Sequence, residues 1–368
     1  MKIEFYNSTA GGAFWEKTLS VIETNGCHVE HRGVIDSRAY RFKNTNWGRF
    51  QKVWKMYPWY CVKSLFGPPA DVHVVTTNPF CNPALVCWRY GKKNKTITLL
   101  YDLFPDALEL AGLIKRDGFV SRVIAVGTRF AVRRSSVTVF LGEHLRCYVE
   151  QRYGNVNNAK VIPVGADGSA FVGCEPDVIA DGQIVQLMYC GNMGRAHDTD
   201  TLLKYIKSDY TGEFALRFHA KGKGYEKLKH DLCGFTNPHL CLSDPLPGDA
   251  WVDAMKTTHV GVITMKSGWE NVVMPSKVYS AMVAGQAILA VCPEKSDLAD
   301  LIRLHNCGWI VEPEDIVGLS KTLKKIVEDR ELLHEKRMNA YTAGHRVYDS
   351  RIVAKQWVAL FEDLIKEK

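Results

Sequence analysis

The sequence predicts an α/β protein of two successive βα domains, each built on a parallel sheet, followed by a helical tail. Three observations predict it. Short runs rich in Val, Ile and Leu alternate with segments of helical periodicity along the chain. The pattern breaks over residues 168–182, where Gly, Ser, Pro and Asp are frequent, and restarts with a new apolar run at 184. The length of 368 residues is what two domains need.

Residues 2–7 alternate apolar and polar, as a short strand does. Asn7-Ser8-Thr9-Ala10-Gly11-Gly12-Ala13 reads as a turn, and the spacing of Phe14, Leu19 and Ile22 as a helix ending at Gly26. A strand, a Gly-containing turn and a helix at this point is how many α/β domains receive a nucleotide or a phosphate. Gly11 and Gly12 are therefore candidate phosphate contacts. They lack the GxGxxG fingerprint, and a tight βα turn accounts for them equally well.

Residues 37–66 are basic and aromatic, with no acidic residue between Asp36 and Asp71. Phe50, Trp54 and Tyr57 share one helix face, and Lys52 and Lys55 lie among them. Such a segment suits an anionic membrane surface. A core-facing aromatic stripe with solvated lysines is the plainer reading, and stacking on nucleic acid a third. Strands follow at 71–77 and 96–102, the second running into Asp102-Leu103-Phe104-Pro105-Asp106. Carboxylates just beyond a parallel strand point toward the ligand crevice of an α/β domain. Asp102 and Asp106 are therefore candidates for acid–base work, although Asp106 could instead cap the next helix. A helix, a strand at 137–142, a helix from Glu143 to Tyr153 and an apolar run at 161–167 close the first half.

In the second half, 184–190 reads as a strand, Gly191-Asn192-Met193-Gly194 as a turn and 198–207 as a helix. Further strands fit at 214–219, 239–243, 260–265, 287–292 and 309–311, and the chain is helical from Glu314 onward. Lys221 and Lys223, in Ala220-Lys221-Gly222-Lys223-Gly224, stand at the end of a strand, where a crevice would be. The segment from Gly268 to Val291 reads as a loop, a helix with Pro275 in its first turn, a stop at Gly285 and a buried strand. Free first-turn N–H groups, Ser276 and Lys277 make that helix start a candidate phosphate site.

The composition, 46% hydrophobic and 24% charged, is that of a globular protein without low-complexity tracts. The N-terminus is too short and polar for a signal peptide. The longest apolar candidate for a membrane span, 118–132, is broken by Arg122 and Arg129. The expected location is cytoplasmic, at most peripheral on the inner face of a membrane. The eleven cysteines contain no CxxC pair, which fits reduced thiols and no zinc site. The first 180 residues carry 23 basic and 15 acidic side chains and the rest 24 and 25, so the first half is the one suited to an anionic partner. The neutral second half argues against nucleic acid.

The chain resembles glycosyltransferases of the GT-B fold, closest to the family-4, polysaccharide-building type. The resemblance rests on Gly11-Gly12, on the D-x-x-P segment Asp102–Pro105, on Tyr189-Cys190-Gly191-Asn192-Met193-Gly194-Arg195-Ala196-His197-Asp198, on the Pro275-Ser276-Lys277 helix ending at Ala284-Gly285, and on Gly308-Trp309-Ile310-Val311-Glu312-Pro313. It spans nearly the whole chain and is most specific over 189–313. It implies two Rossmann-like domains facing across a cleft. Residues 1–170 would bind the acceptor and 183–345 the nucleoside diphosphate sugar, UDP- or GDP-linked. Residues 346–368 would form a helix crossing back to the first domain. It implies a hexosyltransferase with no cofactor and no metal, retained anomeric configuration, and a glycan or lipid-linked acceptor.

Two departures stand out. The family's second Glu, which holds the donor ribose, is replaced by Ser280, and Glu270 does not match the spacing of the pair. The Arg and Lys usual in the first loop of the second domain correspond to Asn192 and His197. Arg195, Lys221, Lys223 and Lys277 remain to neutralise a diphosphate, with Gly191, Asn192, Gly194, Pro275, Ser276 and Ser280 around it. Lys277, Asp102 and Asp106 are the catalytic candidates, the two carboxylates serving as base if the enzyme inverts. Rival readings are a GT-B partner subunit that has lost transfer and a nucleotide-sugar epimerase.

Overall fold

The computed structural model describes residues 1–6, 13–31, 58–59, 61–77, 79–180 and 182–366. Gly11, Gly12 and most of the basic aromatic stretch at 37–66 lie outside these. The chain forms two compact units, Met1–Pro163 with Ser350–Lys368, and Val164–Asp349.

In the first unit the strands are β1 (Lys2–Tyr6), β2 (His28–His31), β3 (Val72–Thr76), β4 (Lys95–Leu100), β5 (Val137–Phe140) and β6 (Ala159–Val161). They form one sheet in the order β2-β1-β3-β4-β5-β6, every pair parallel. A parallel sheet is covered on both faces, so its strands are continuous apolar runs. Val72–Thr76 and Val137–Phe140 are indeed buried at every position. The connections are α1 (Ala13–Thr24), α2 (Asn82–Tyr90), α3 (Asp106–Leu110), α4 (Phe119–Arg134) and α5 (Glu143–Tyr153).

β2 escapes the sequence reading because His28-Val29-Glu30-His31 is short and polar. At the apolar run 161–167, which closes the first half, the chain joins the sheet as Ala159–Val161. Pro163, two residues on, has no N–H to extend the ladder.

In the second unit the strands are β7 (Val185–Asn192), β8 (Phe214–Lys221), β9 (Leu240–Ser243), β10 (Val260–Thr264), β11 (Ala287–Val291) and β12 (Gly308–Val311). Their order is β12-β11-β10-β7-β8-β9, again all parallel. The helices are α6 (Asp200–Ser208), α7 (Lys223–Asp231), α8 (Gly248–Thr257), α9 (Lys277–Val283), α10 (Asp297–His305), α11 (Ile316–Glu328) and α12 (Arg330–Ala343). The strand order reverses where β10 lies against β7, a switch point that leaves a crevice beyond the carboxyl ends of those two strands.

Residues 168–182, expected as a linker, belong to this unit. Phe171 and Ile179 are buried, and Phe171 meets Trp251 edge-on with ring centroids 6.0 Å apart. A few apolar anchors outweigh the polar composition there. The last helix, α13 (Ser350–Lys366), belongs to the first unit and packs on α1. Among the described residues no helix is long and apolar enough to cross a membrane.

Candidate functional site

The segment from Gly268 to Gly285 supplies the centre of the site, with a changed helix start. Pro275 is buried and precedes the helix; α9 begins at Lys277, after an N-cap Ser276 that makes no side-chain cap. The amides of Val278 and Tyr279 already bond the carbonyls of Pro275 and Ser276, at 3.2 Å each. The expected phosphate site of free first-turn N–H groups is thus partly consumed by a tight turn, and the helix has only seven residues. Its end follows expectation. Gly285, at φ +72°, donates to the Met282 carbonyl at 3.0 Å, and Gln286 to that of Ala281 at 3.0 Å. A Cβ on Gly285 would stand 2.7 Å from Pro176.

What the helix presents instead is the Lys277 side chain. Its Nζ reaches over the carboxyl end of β7, donating to the Tyr189 hydroxyl at 2.6 Å and to the Asn192 carbonyl at 2.9 Å. It also lies 4.2 Å from the centre of the Tyr189 ring, a cation–π contact. Among the described residues no carboxylate bonds this ammonium. Burial pushes its pKa down to about 7, offset only in part by Cys190. Burial raises the Tyr189 hydroxyl, which stays protonated and donates to the Asn192 carbonyl at 3.2 Å. His197 stands edge-on to Tyr189, centroids 5.9 Å apart, with Nδ1 2.8 Å from the Thr264 carbonyl. Burial and the nearby Lys277 lower its pKa to about 4, so it is neutral at physiological pH. The result is a lysine poised to gain a proton when an anion arrives.

The loops after β7 and β8 form the adjoining wall. Asn192 and Lys221 are register partners at the two strand ends. The Met193 amide bonds the Lys221 carbonyl at 2.7 Å, and the Gly224 amide bonds the Met193 carbonyl at 2.9 Å. Such close backbone approach requires glycine. Gly222 has φ +111°, and a Cβ there would stand 2.5 Å from Asn192 Oδ1 and 2.8 Å from the Met193 carbonyl. Gly191, at φ +105°, turns the chain out of β7.

Of the residues singled out from sequence, Gly191, Asn192, Gly194, Lys221, Lys223 and Lys277 come together at this sheet end, and Arg195 lies exposed on the same loop. Lys221 ends β8 and Lys223 opens α7, both exposed. Ser276 is exposed and Ser280 half-buried on α9. Glu270 serves its own loop: its carboxylate accepts from the Gly268 amide at 2.6 Å. Tyr189 and His197 were not singled out as site residues. The sequence held a signal for both, since they flank the glycine turn in Tyr189–Asp198.

In the first unit, Asp102 is exposed just past β4. Asp106 is different. It is buried and accepts from the Tyr148 and Tyr153 hydroxyls at 2.8 and 2.6 Å, with Arg152 Nε 3.1 Å away. Both its oxygens are committed to holding α3 against α5, which suits a positioning group and not a free base. It opens α3 without capping it.

No protein-family model matches the chain. The chain is 24% identical over 354 residues to the probable glycosyltransferase WbjE of Pseudomonas aeruginosa, covering 88% of this chain and 87% of that one. Among solved structures it is similar to sucrose-phosphate synthase of Thermosynechococcus elongatus, with a TM-score of 0.75 at 12% identity over 100% of both chains. It is also similar to HepE of Anabaena in complex with UDP and glucose, with a TM-score of 0.71 at 13% identity over 99% of this chain and 100% of that one. The structural likenesses establish the fold, two parallel six-stranded sheets of the GT-B kind, and the likeness to WbjE covers most of both chains. The chain has the GT-B fold, and over most of its length it is similar to a probable glycosyltransferase.

Proposed function

We propose that this protein is a glycosyltransferase that moves a sugar from a nucleoside diphosphate sugar to an acceptor hydroxyl, with the donor diphosphate bound at the switch point of the second sheet. One observation carries the reading: among the described residues the Lys277 ammonium, at the carboxyl end of β7, hydrogen-bonds neutral partners, Tyr189 and the Asn192 carbonyl. A site of this kind has positive charge and donors to offer and no anion of its own. The complex of HepE with UDP and glucose supports the same class of donor.

In the reaction the bond from the sugar's anomeric carbon to the diphosphate oxygen breaks, and a bond to the acceptor oxygen forms. The difficulty is the charge that develops on the departing diphosphate. Lys277 answers it from a fixed position, and Arg195, Lys221 and Lys223 surround the same strand ends. In this reading the side-chain cations stand in for a metal ion, and the sugar keeps its anomeric configuration. If the enzyme inverts, Asp102, exposed just beyond β4, is the base that takes the acceptor proton. Ser280 lies on α9, and the ribose is held by groups other than a carboxylate at that position. The first unit takes the acceptor, a glycan or lipid-linked sugar.

Thermal-shift measurement against UDP-, GDP- and dTDP-sugars tests the donor. A ligand at 100 times its dissociation constant stabilises the protein by about 2.7 kcal/mol. A stabilisation by one nucleotide class that survives EDTA and falls to about half or less in Lys277→Met supports the reading. A flat response to all three classes refutes it.

A further inference from the structure

The second sheet has a polar cavity on one face. A parallel sheet is ordinarily packed on both faces. Val185, Leu187, Phe214 and Leu216 point to one face of β7 and β8 and are buried in the core there. Gln186, Ala215 and Arg217 alternate with them and point to the other, where Arg217 is the register partner of Met188 on β7 and of Cys241 on β9. Met188 is covered: the Thr258 hydroxyl, at the end of α8, lies 3.7 Å from its sulfur. One strand further out lies a cavity of about 440 Å³, walled by Gln186, Ala215, Arg217, His219, His239 and Cys241. That is within the usual size of small-ligand pockets.

The wall chemistry selects the ligand. Arg217 is half-buried and makes no hydrogen bond or ion pair among the described residues. His219, two residues along the same strand face, is 8% exposed. Its Nδ1 lies 2.6 Å from the Ser243 hydroxyl, which itself donates to the Asp244 carbonyl at 3.2 Å. The ring therefore gives Nδ1–H to Ser243 and keeps Nε2 without a partner among the described residues. Burial, and then the charge of Arg217, lower its pKa. His239 is exposed at the same cavity, and among the described residues no carboxylate lines it. Two cation-forming groups side by side with no acid between them repel each other in the empty protein, and an anion relieves that repulsion. A metal does not fit: among the described residues no three of His, Cys, Asp and Glu stand close enough to share one. The guanidinium fork suits phosphate and carboxylate alike. The volume leaves room for an organic body against Ile184 and Pro238.

We propose that this cavity binds a small organic oxyanion, a phosphate ester or a carboxylate, with Arg217 and His219 on the charged group and His239 beside it. The site uses none of the residues assigned to the donor, and it stands whether or not the donor reading does.

The test is NMR of the imidazole resonances of the full chain, those of His219 and His239 being assigned with His219→Asn and His239→Gln. Inorganic phosphate and acetate are titrated separately, with chloride at matched ionic strength as the control. The expected result is a saturable shift of both resonances with at least one oxyanion and none with chloride. A response to phosphate alone assigns a phosphate ester; a response to acetate assigns a carboxylate. Arg217→Gln should weaken binding about tenfold or more, and Arg217→Lys, which keeps the charge without the fork, by less. Arg217 bonds nothing in the empty protein, so the melting temperature of both variants should stay at the wild-type value. Lys277→Met should leave the response intact, which separates this cavity from the donor site. The proposal is overturned if neither oxyanion moves the two resonances, if chloride moves them equally, or if Arg217→Gln binds as the wild type does. It is also overturned if only an oligoglutamate peptide binds, or if the resonances shift with protein concentration as light scattering finds a dimer; the face would then dock an acidic peptide or a second copy.

Discussion

The empty protein holds Lys277 at a pKa of about 7, against an ordinary value near 10.4 for lysine. A diphosphate binds the ammonium, not the amine. Above pH 7 each donor molecule must therefore bring a proton with it, and affinity should fall about tenfold per pH unit. The diphosphate of an intact nucleotide sugar has no group that titrates near neutrality, so the slope reports the protein. At pH 8 roughly nine-tenths of the Lys277 side chains are neutral, and calorimetry in buffers of different ionisation enthalpy should count about 0.9 proton taken up per donor bound. Lys277→Met keeps the stem over Tyr189 and removes the charge. It should lose one charge-assisted hydrogen bond, about 1.5–3 kcal/mol or roughly ten- to 150-fold in affinity at pH 6.5, and flatten the pH slope. The titrations use the nucleotide sugar that stabilises the protein most in the thermal screen. A variant with the wild-type slope, or a wild type that takes up no proton at pH 8, would refute this account of the lysine.

The two acidic residues at the end of β4 should separate cleanly. Asp106→Asn removes one of the two buried carboxylates on Arg152, the other being Glu109, and the charged acceptor of two tyrosine hydroxyls, and should cost about 1–3 kcal/mol in urea unfolding. Asp102→Asn should change stability by less than about 0.5 kcal/mol, and in an inverting enzyme it should slow transfer by roughly a hundredfold or more. Equal stability losses in both would contradict the division of roles. Acid should destabilise the fold early. His73 stacks on Tyr90 with centroids 4.0 Å apart, and His259 Nδ1 accepts from the Gln186 amide at 3.0 Å; burial first, then nearby arginines, lower both to about 4. The unfolded chain binds these protons near pH 6.5 and the folded one resists until about pH 4. Their contribution is intact above pH 6.5, is lost through that window by up to roughly 3 kcal/mol each, and is level below it. Urea midpoints that do not move between pH 7 and 4 would refute this assignment.

Much of the second unit could be read from the chain, because parallel strands covered on both faces must be apolar runs. Val260–Thr264 and Ala287–Val291 are such runs, and both are buried throughout. The first unit was harder where burial does not follow hydrophobicity. β2 is a polar edge strand, and in the second unit Phe171 and Ile179 anchor a stretch that reads as a linker. The glycines at 191, 222 and 285 were legible as punctuation, since a residue without Cβ takes the positive φ observed there at the least steric cost.

For the segment at 274–277, the chain by itself determined a break before a helix and a lysine at its start, because proline, serine and lysine have local conformational and charge preferences. It did not determine where that lysine points. The switch in strand order places the end of β10 beside β7, and only that juxtaposition sets the Lys277 ammonium over Tyr189, 88 residues earlier in the chain. Its lowered pKa follows from burial against neutral partners, and the same is true of the separation of Asp106 from Asp102. Local preference is written along the sequence; the surroundings of a charge are set by residues far from it, which come together only in the folded protein.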